Sequence, residues 1–274
     1  MTDRSEEIEK RLAGLDDIGQ VTGALRAMAA SHLAAANAAM TAISTYAETI
    51  GRAVEAAEAA AGTPCAGRVE GPGMLIVIGA SQGFSGAYPS RIAAAARQLF
   101  EPDLGVIVAG QRTVQMLEDD DQSLLWSADL PGHPDATPDL ASRITDILVE
   151  NSAEHPGTIR AIVGASDPAA PPVVQTLLPR PSGKAVAPTP SPVMTMAPKL
   201  LLDGLQREAL FASIALMLMK GIRAEAQARI ETMARAQTNL RRRRTDVEWS
   251  LRQARQEQMT TEMIELATSQ LGTN

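Results

Sequence analysis

Aromatic residues are scarce: two Trp, two Tyr and three Phe make up 3% of 274 residues, although hydrophobic residues together reach 45%. A core poor in large rings must be built from small aliphatic side chains. The abundance of Ala therefore favours thin helix-on-helix packing over a thick globular interior. Cysteine is nearly absent as well. Cys65 alone forms no internal disulfide, which excludes a disulfide-stapled scaffold and fits a reducing compartment. The three histidines, His32, His133 and His155, show no metal-ligand spacing with each other or with Cys65. Lysine is confined to Lys10, Lys184, Lys199 and Lys220, so nearly all the positive charge is arginine. No apolar run approaches the roughly 18 residues that span a bilayer; the longest centres on Ile214 to Met219. Residues Thr2 to Lys10 are mostly charged and lack the basic-then-apolar layout of a secretion signal. Membrane association is thus expected only through partners.

The net charge is −7. An acidic chain is a poor general binder of nucleic acid, where affinity rests on neutralising phosphates. Against that background Arg241, Arg242, Arg243 and Arg244 stand as one contiguous basic block.

What is present is periodicity. Counting in sevens from Ile8 gives Leu15, Thr22, Ala29, Ala36, Ile43, Ile50 and Ala57, with Ile18, Leu25, His32, Ala39, Tyr46 and Ala53 at the complementary positions. Such a seam, held for seven heptads without a proline before Pro64, predicts a coiled-coil helix over residues 1–62. At 1.5 Å per residue the stretch from Asp3 to Ala61 would run for roughly 85 Å, too long for its own chain to bury on every side. Pro181, Pro188, Pro190, Pro192 and Pro198 then mark an extended connector. A second long helix is expected over 199–274, since Lys199 to about Gln270 contains no proline and only Gly204 and Gly221. Its seam is read through Ile230, Met233, Leu240, Val247, Leu251 and Ala254, continuing through Met259, Met263 and Leu266. Two matching narrow seams predict an antiparallel pair.

Residues 74–180 between the helices alternate short apolar runs with helical stretches. Met74–Ile78, Gly105–Val108, Arg160–Val163 and Val173–Leu178 read as strands; Ser90–Phe100, Thr113–Glu118 and Leu140–Asn151 read as helices. The expected fold class is α+β overall: a long antiparallel coiled coil of N- and C-terminal helices with an inserted Rossmann-like α/β domain.

Chemistry-bearing motifs are few. The turn Gly79-Ala80-Ser81-Gln82-Gly83-Phe84-Ser85-Gly86 could offer backbone N–H groups to a phosphate, but it lacks both the G-x-G-x-x-G pattern and a following Lys-Ser/Thr. Asp119-Asp120-Asp121 reads as a solvated helix end, and Cys65 has no base beside it in sequence. No cofactor, metal or catalytic residue is expected.

Four segments carry a resemblance. EIEKRLAGLDDIGQVTGALRAMAASHL from Glu7, YAET from Tyr46, EAQARIETMARAQTNL from Glu225 and RQARQEQMTTEMIEL from Arg252 resemble the terminal helices of the gamma subunit of F-type ATP synthases. Those helices carry runs such as A-M-x-M-V-A-A-S-K and a closing R-Q-x-x-I-T-x-E. The resemblance implies a non-catalytic rotor central-stalk subunit, peripheral at the cytoplasmic face of a bacterial membrane. The implied partners are the alpha and beta subunits of F1, the epsilon subunit and the c-ring, with no nucleic acid. Matching the family's partner-contact positions are Arg229, Arg255, Gln256, Thr260 and Glu262.

Departures from the pattern are local. Gly23 replaces a basic residue and Leu25 a Met, so Arg241 to Arg244 are candidates for replacement positive charge; a solvated helix face is the plainer reading of that block. His32 stands where Lys is common. In the glycine turn, which resembles S-x-D-R-G-L-C-G-G-x-N, Ser81-Gln82 replaces Asp-Arg and Pro89 the final Asn. A non-rotating coiled-coil scaffold or regulator derived from the family stays open as an alternative, and so does a nucleotide-binding α/β enzyme.

Overall fold

The computed structural model describes residues 2–61, 70–118, 124–179 and 196–271. Cys65, Asp119–Asp121 and the prolines from Pro181 to Pro192 lie outside the described residues. Two very long helices bracket a small α/β layer: α1 (Thr2–Ala61) and α5 (Pro198–Leu271). Between them come β1 (Met74–Ile78), α2 (Tyr88–Arg97), β2 (Gly105–Ala109), α3 (Gln111–Leu117), β3 (Leu124–Ala128), α4 (Thr137–Glu150), β4 (Ile159–Val163) and β5 (Val173–Leu178). The chain divides into two compact units, one of residues 1–28 with 230–274, the other of residues 29–229.

The larger unit is organised by its sheet, in the order β3-β2-β1-β4-β5. The first four strands run parallel, and β5 pairs antiparallel with β4. Strand β1 is buried along its whole length, because both faces of a mostly parallel sheet are covered. Its side chains separate by the period of two. Met74, Ile76 and Ile78 face a cluster with Ile144 and Leu148 of α4 and Ile214, Met217 and Leu218 of α5. Leu75 and Val77 face α2 and α3 through Ile92, Ala96, Val114 and Leu117. Each such aliphatic side chain contributes about 1.5–3 kcal/mol of burial. Gly221 makes the contact with α5 close: a Cβ there would stand 2.2 Å from Ile78 Cγ2. At the far end of this unit Val54 and Ala57 of α1 meet Leu202 and Ala209 of α5.

Helices α2 and α4 begin earlier than the expected Ser90 and Leu140 because Pro89 and Pro138 occupy the first helical turn, where a missing N–H costs nothing. Strand β3 is not among the strands expected from the sequence. It is an edge strand whose residues alternate between half-buried and exposed, so Leu124–Ala128 never forms the continuous apolar run that marks its neighbours.

The smaller unit is a two-helix seam. Ile8, Leu12, Leu15 and Thr22 of α1 line the seam with Met233, Val247, Leu251 and Ala254 of α5, the last four no more than 9% exposed. The pairing is antiparallel, since Arg4 meets Glu257, Glu9 meets Arg255, Asp16 meets Arg244 and Arg26 meets Gln237. Two parts of the expected seam are corrected here. Ile18 is 54% exposed, and Tyr46 in the larger unit is 40% exposed. A helix of 3.6 residues per turn drifts about 20° per heptad from a strict 3.5 repeat, and the stripe passes instead through half-buried Leu12, Leu33 and Met40 to buried Val54. Met259, Met263 and Leu266 do not continue the seam: they are 62%, 67% and 67% exposed. Arg4, near the start of α1, already lies opposite Glu257, so α1 has few residues left to cover the final turns of α5.

Candidate functional site

Two places carry the polar residues singled out by the sequence, one in each unit. In the helix pair, Arg255 and Arg244 do more than face solvent. Arg255 donates to Glu9 at 2.6 Å, and Arg244 bridges Asp16 at 2.9 Å and Glu248 at 3.3 Å. These arginines therefore fix the register of α1 against α5 while keeping their side chains about half exposed. Arg241, Arg242 and Arg243 are exposed and have no ion pair among the described residues. Consecutive residues are turned by about 100° on a helix, so the three project from different sides of α5.

Gln256, Thr260 and Glu262 are also exposed. The Thr260 hydroxyl donates to the Gln256 carbonyl at 2.9 Å, and Glu262 accepts from Gln258 at 2.9 Å. Gln256 and Thr260, four residues apart, share a face; Glu262 is turned about 120° from Gln256. The structure thus brings the first two together and sets the third aside.

Arg229 behaves differently. It is buried, 5% exposed, and two of its nitrogens donate inside the chain. Nη2 reaches Glu225 Oε1 at 2.9 Å, and Nε donates to the Gly83 carbonyl at 3.0 Å. Glu225, 4% exposed, also accepts the backbone N–H of Gln82 at 2.8 Å. Burial pushes the Glu225 carboxyl above its ordinary range, opposed by the Gln82 N–H and by the Arg229 charge. The turn after β1 is consequently held by α5.

The rest of that turn is tied down by its neighbours. Gly79 donates to the Ala109 carbonyl, Ala80 N–H donates to Thr113 Oγ1 at 2.9 Å, and Ser81 Oγ accepts from the N–H of Leu130. A Cβ on Gly79 would stand 2.0 Å from Thr113 Oγ1, so only glycine fits there. Phe84 adopts φ 65° with its side chain 64% exposed, and Gly86 adopts φ 62°. Behind the turn Tyr88 is buried, which raises its hydroxyl pKa, and the Glu225 charge adds to the effect. His32 of α1 is half-buried near Arg229 and His133; desolvation first, then those two neighbours, hold its pKa below the ordinary value. The anion site that the glycine turn suggested is therefore filled by the chain's own carboxylate. Sequence reasoning missed Glu225 and Gln82 as site residues; the available signal is a Glu and an Arg four apart, interleaved with Ala224, Ala226 and Ala228.

The model of the ATP synthase family, its gamma subunit, matches residues 4–270, nearly the whole chain. The chain belongs to the ATP synthase gamma-subunit family. Solved relatives share the fold of this gamma-family member. A chain of the Euglena gracilis mitochondrial ATP synthase, from the OSCP/F1/c-ring structure in rotational state 3, is 10% identical with a TM-score of 0.64, covering 99% of this chain and 95% of its own. A rotor chain from the same organism in rotational state 1 is 10% identical with a TM-score of 0.60, covering 94% and 100%. A central stalk/c-ring chain of the Tetrahymena thermophila mitochondrial enzyme is 16% identical with a TM-score of 0.56, covering 79% and 99%. Comparison with curated proteins finds no match. Among the described residues of this family member, no helix is long and apolar enough to cross a membrane.

Proposed function

We propose that this chain is the rotor central-stalk subunit of an F1 ATP synthase, coupling ion flow through a membrane sector to ATP synthesis in an alpha/beta hexamer. Catalysis belongs on this reading to the partners, and the chain contributes shape. A stiff asymmetric helix pair inside a ring presents a different face to each site, and turning it changes which conformation each site favours. The observation that carries the reading is the end of α5. There Met259 and Met263, 62% and 67% exposed and one turn apart, alternate with exposed Gln256, Thr260 and Glu262. Large apolar groups grouped on an exposed surface ask for cover, and a ring of alpha and beta subunits supplies it. The other partners on this reading are the epsilon subunit and the c-ring, so that the chain is peripheral at the cytoplasmic face of a bacterial membrane.

Gln256, Thr260 and Glu262 are assigned to contacts with the hexamer together with Arg255 and the block Arg241 to Arg244. Changing the first three to Ala is expected to leave the isolated chain helical, because the seam runs through Val247, Leu251 and Ala254 instead. Each lost partner bond is worth about 1 kcal/mol, so assembly with the alpha/beta hexamer should weaken by about two orders of magnitude. Pull-down titration and ATP-driven rotation measure this. Unchanged assembly and coupling would remove these residues from the interface. Firm assembly of the unmodified chain without any rotation would favour a non-rotating scaffold.

A further inference from the structure

We infer that Glu225 and Arg229 form a clamp that positions the Gly79–Gly86 turn and holds Phe84 in a left-handed conformation. The clamp lies where the sheet switches direction: β2 lies on one side of β1 and β4 on the other, and the turn leaves the C-terminal end of β1. That crevice is the usual ligand position of an open α/β sheet. In this chain the occupant is the Glu225 carboxylate, 2.8 Å from the Gln82 nitrogen.

Three observations together call for a positioning role. First, burying an ion pair is costly, and apolar residues of similar volume usually fill such a place at least as well; yet Glu225 and Arg229 are 4% and 5% exposed among Ala224, Ala226 and Ala228. Second, the pair also hydrogen-bonds two adjacent backbone groups of the turn, the Gln82 N–H and the Gly83 carbonyl. Third, the next residue, Phe84, has φ 65°, a region unfavourable for an aromatic residue, and its exposed ring gains little from burial there. The bonds made by the clamp are in place to hold that strain. Phe84 is thereby presented at one fixed position. That the turn is then carried along by a rotating α5 rests on the rotor reading; the clamp itself does not.

A double-mutant cycle on the isolated full chain tests the clamp. Phe84→Asn places a residue that tolerates the left-handed region, so in the unmodified background the folding equilibrium constant should rise about fivefold, the lower end of the penalty for a left-handed residue. In an Arg229→Lys background the charge facing Glu225 is kept but the Nε donor to the Gly83 carbonyl is lost, and Phe84 is free to relax. There the gain should shrink to less than twofold. A merely structural ion pair would lower stability without touching this coupling. Glu225→Asp, which keeps the charge but draws the carboxylate back from Gln82, should behave as Arg229→Lys does and serves if that variant does not fold. Hydrogen exchange should also quicken at least tenfold at the Gln82 amide in Glu225→Asp. An equal gain from Phe84→Asn in every background, or unchanged exchange at Gln82, would overturn the clamp.

Discussion

His32 shows what one half-buried titratable group does. Its folded pKa lies below the ordinary value of about 6.5 because of desolvation, then Arg229, then His133, which is itself paired with Asp135 at 3.1 Å. As pH falls below about 6.5 the unfolded chain takes up a proton that the folded chain resists, so stability is lost on acidification toward the folded pKa and is unaffected above both values. Glu225 also stands beside Arg229, and burial raises its carboxyl above the ordinary range, so the histidine step is the part of the curve that changes when His32 alone is replaced. Replacing His32 by Gln is expected to flatten the stability curve as pH falls below about 6.5, measured by urea unfolding. An unchanged slope would place the titration elsewhere.

The helix pair of residues 2–28 and 230–271 is held by a thin seam, so its positions differ sharply in value. Leu251, 8% exposed, should cost about 2–4 kcal/mol on replacement by Ala. Met259, 62% exposed and two turns further on, should change the isolated chain by less than about 0.5 kcal/mol. Denaturant unfolding of the two variants separates them, and equal losses would mean that α5 is covered to its end. The same contrast shows what the sequence could reveal. Heptad counting locates both helices and the a positions from Ile8 to Ala57, because those residues must face a partner on any register. It misplaces Ile18, Tyr46 and the run from Met259 to Leu266, because a count of sevens contains neither the drift of a straight helix nor the place where the partner helix begins. In the α/β layer the fully buried strands are legible as apolar runs, whereas β3, half wet at an edge, is not. Arg229 stands out in the sequence as an outside contact, but the groups that consume it, Glu225 and the Gly83 carbonyl, come together only when α5 crosses the turn. Burial is a property of the assembled layer, and a linear reading does not contain it.

At the scale of the molecule, charge is what reaches a partner first. Converting Arg241, Arg242 and Arg243 to Gln takes the net charge from −7 to −10, three cations being removed. Since none of the three has an ion pair among the described residues, stability of the isolated chain should move by less than about 0.5 kcal/mol. Association with an acidic surface of the hexamer should slow several-fold at low ionic strength and lose much of its salt dependence. Stopped-flow mixing with the hexamer at two salt concentrations reads this out; an unaltered rate would leave the arginine block as solvated surface. The position of the two long helices in the chain has a separate, temporal consequence. Helix α1 ends at Ala61 and α5 begins at Pro198. At about 5–20 residues per second, a ribosome needs roughly 7 to 27 seconds between them. During that interval the apolar stripe of α1 has no mate, and β1, which needs β4 on one side, waits more than half as long. The newborn chain therefore passes through a period of exposed helix surface, and the synthesis of α5 is what ends it.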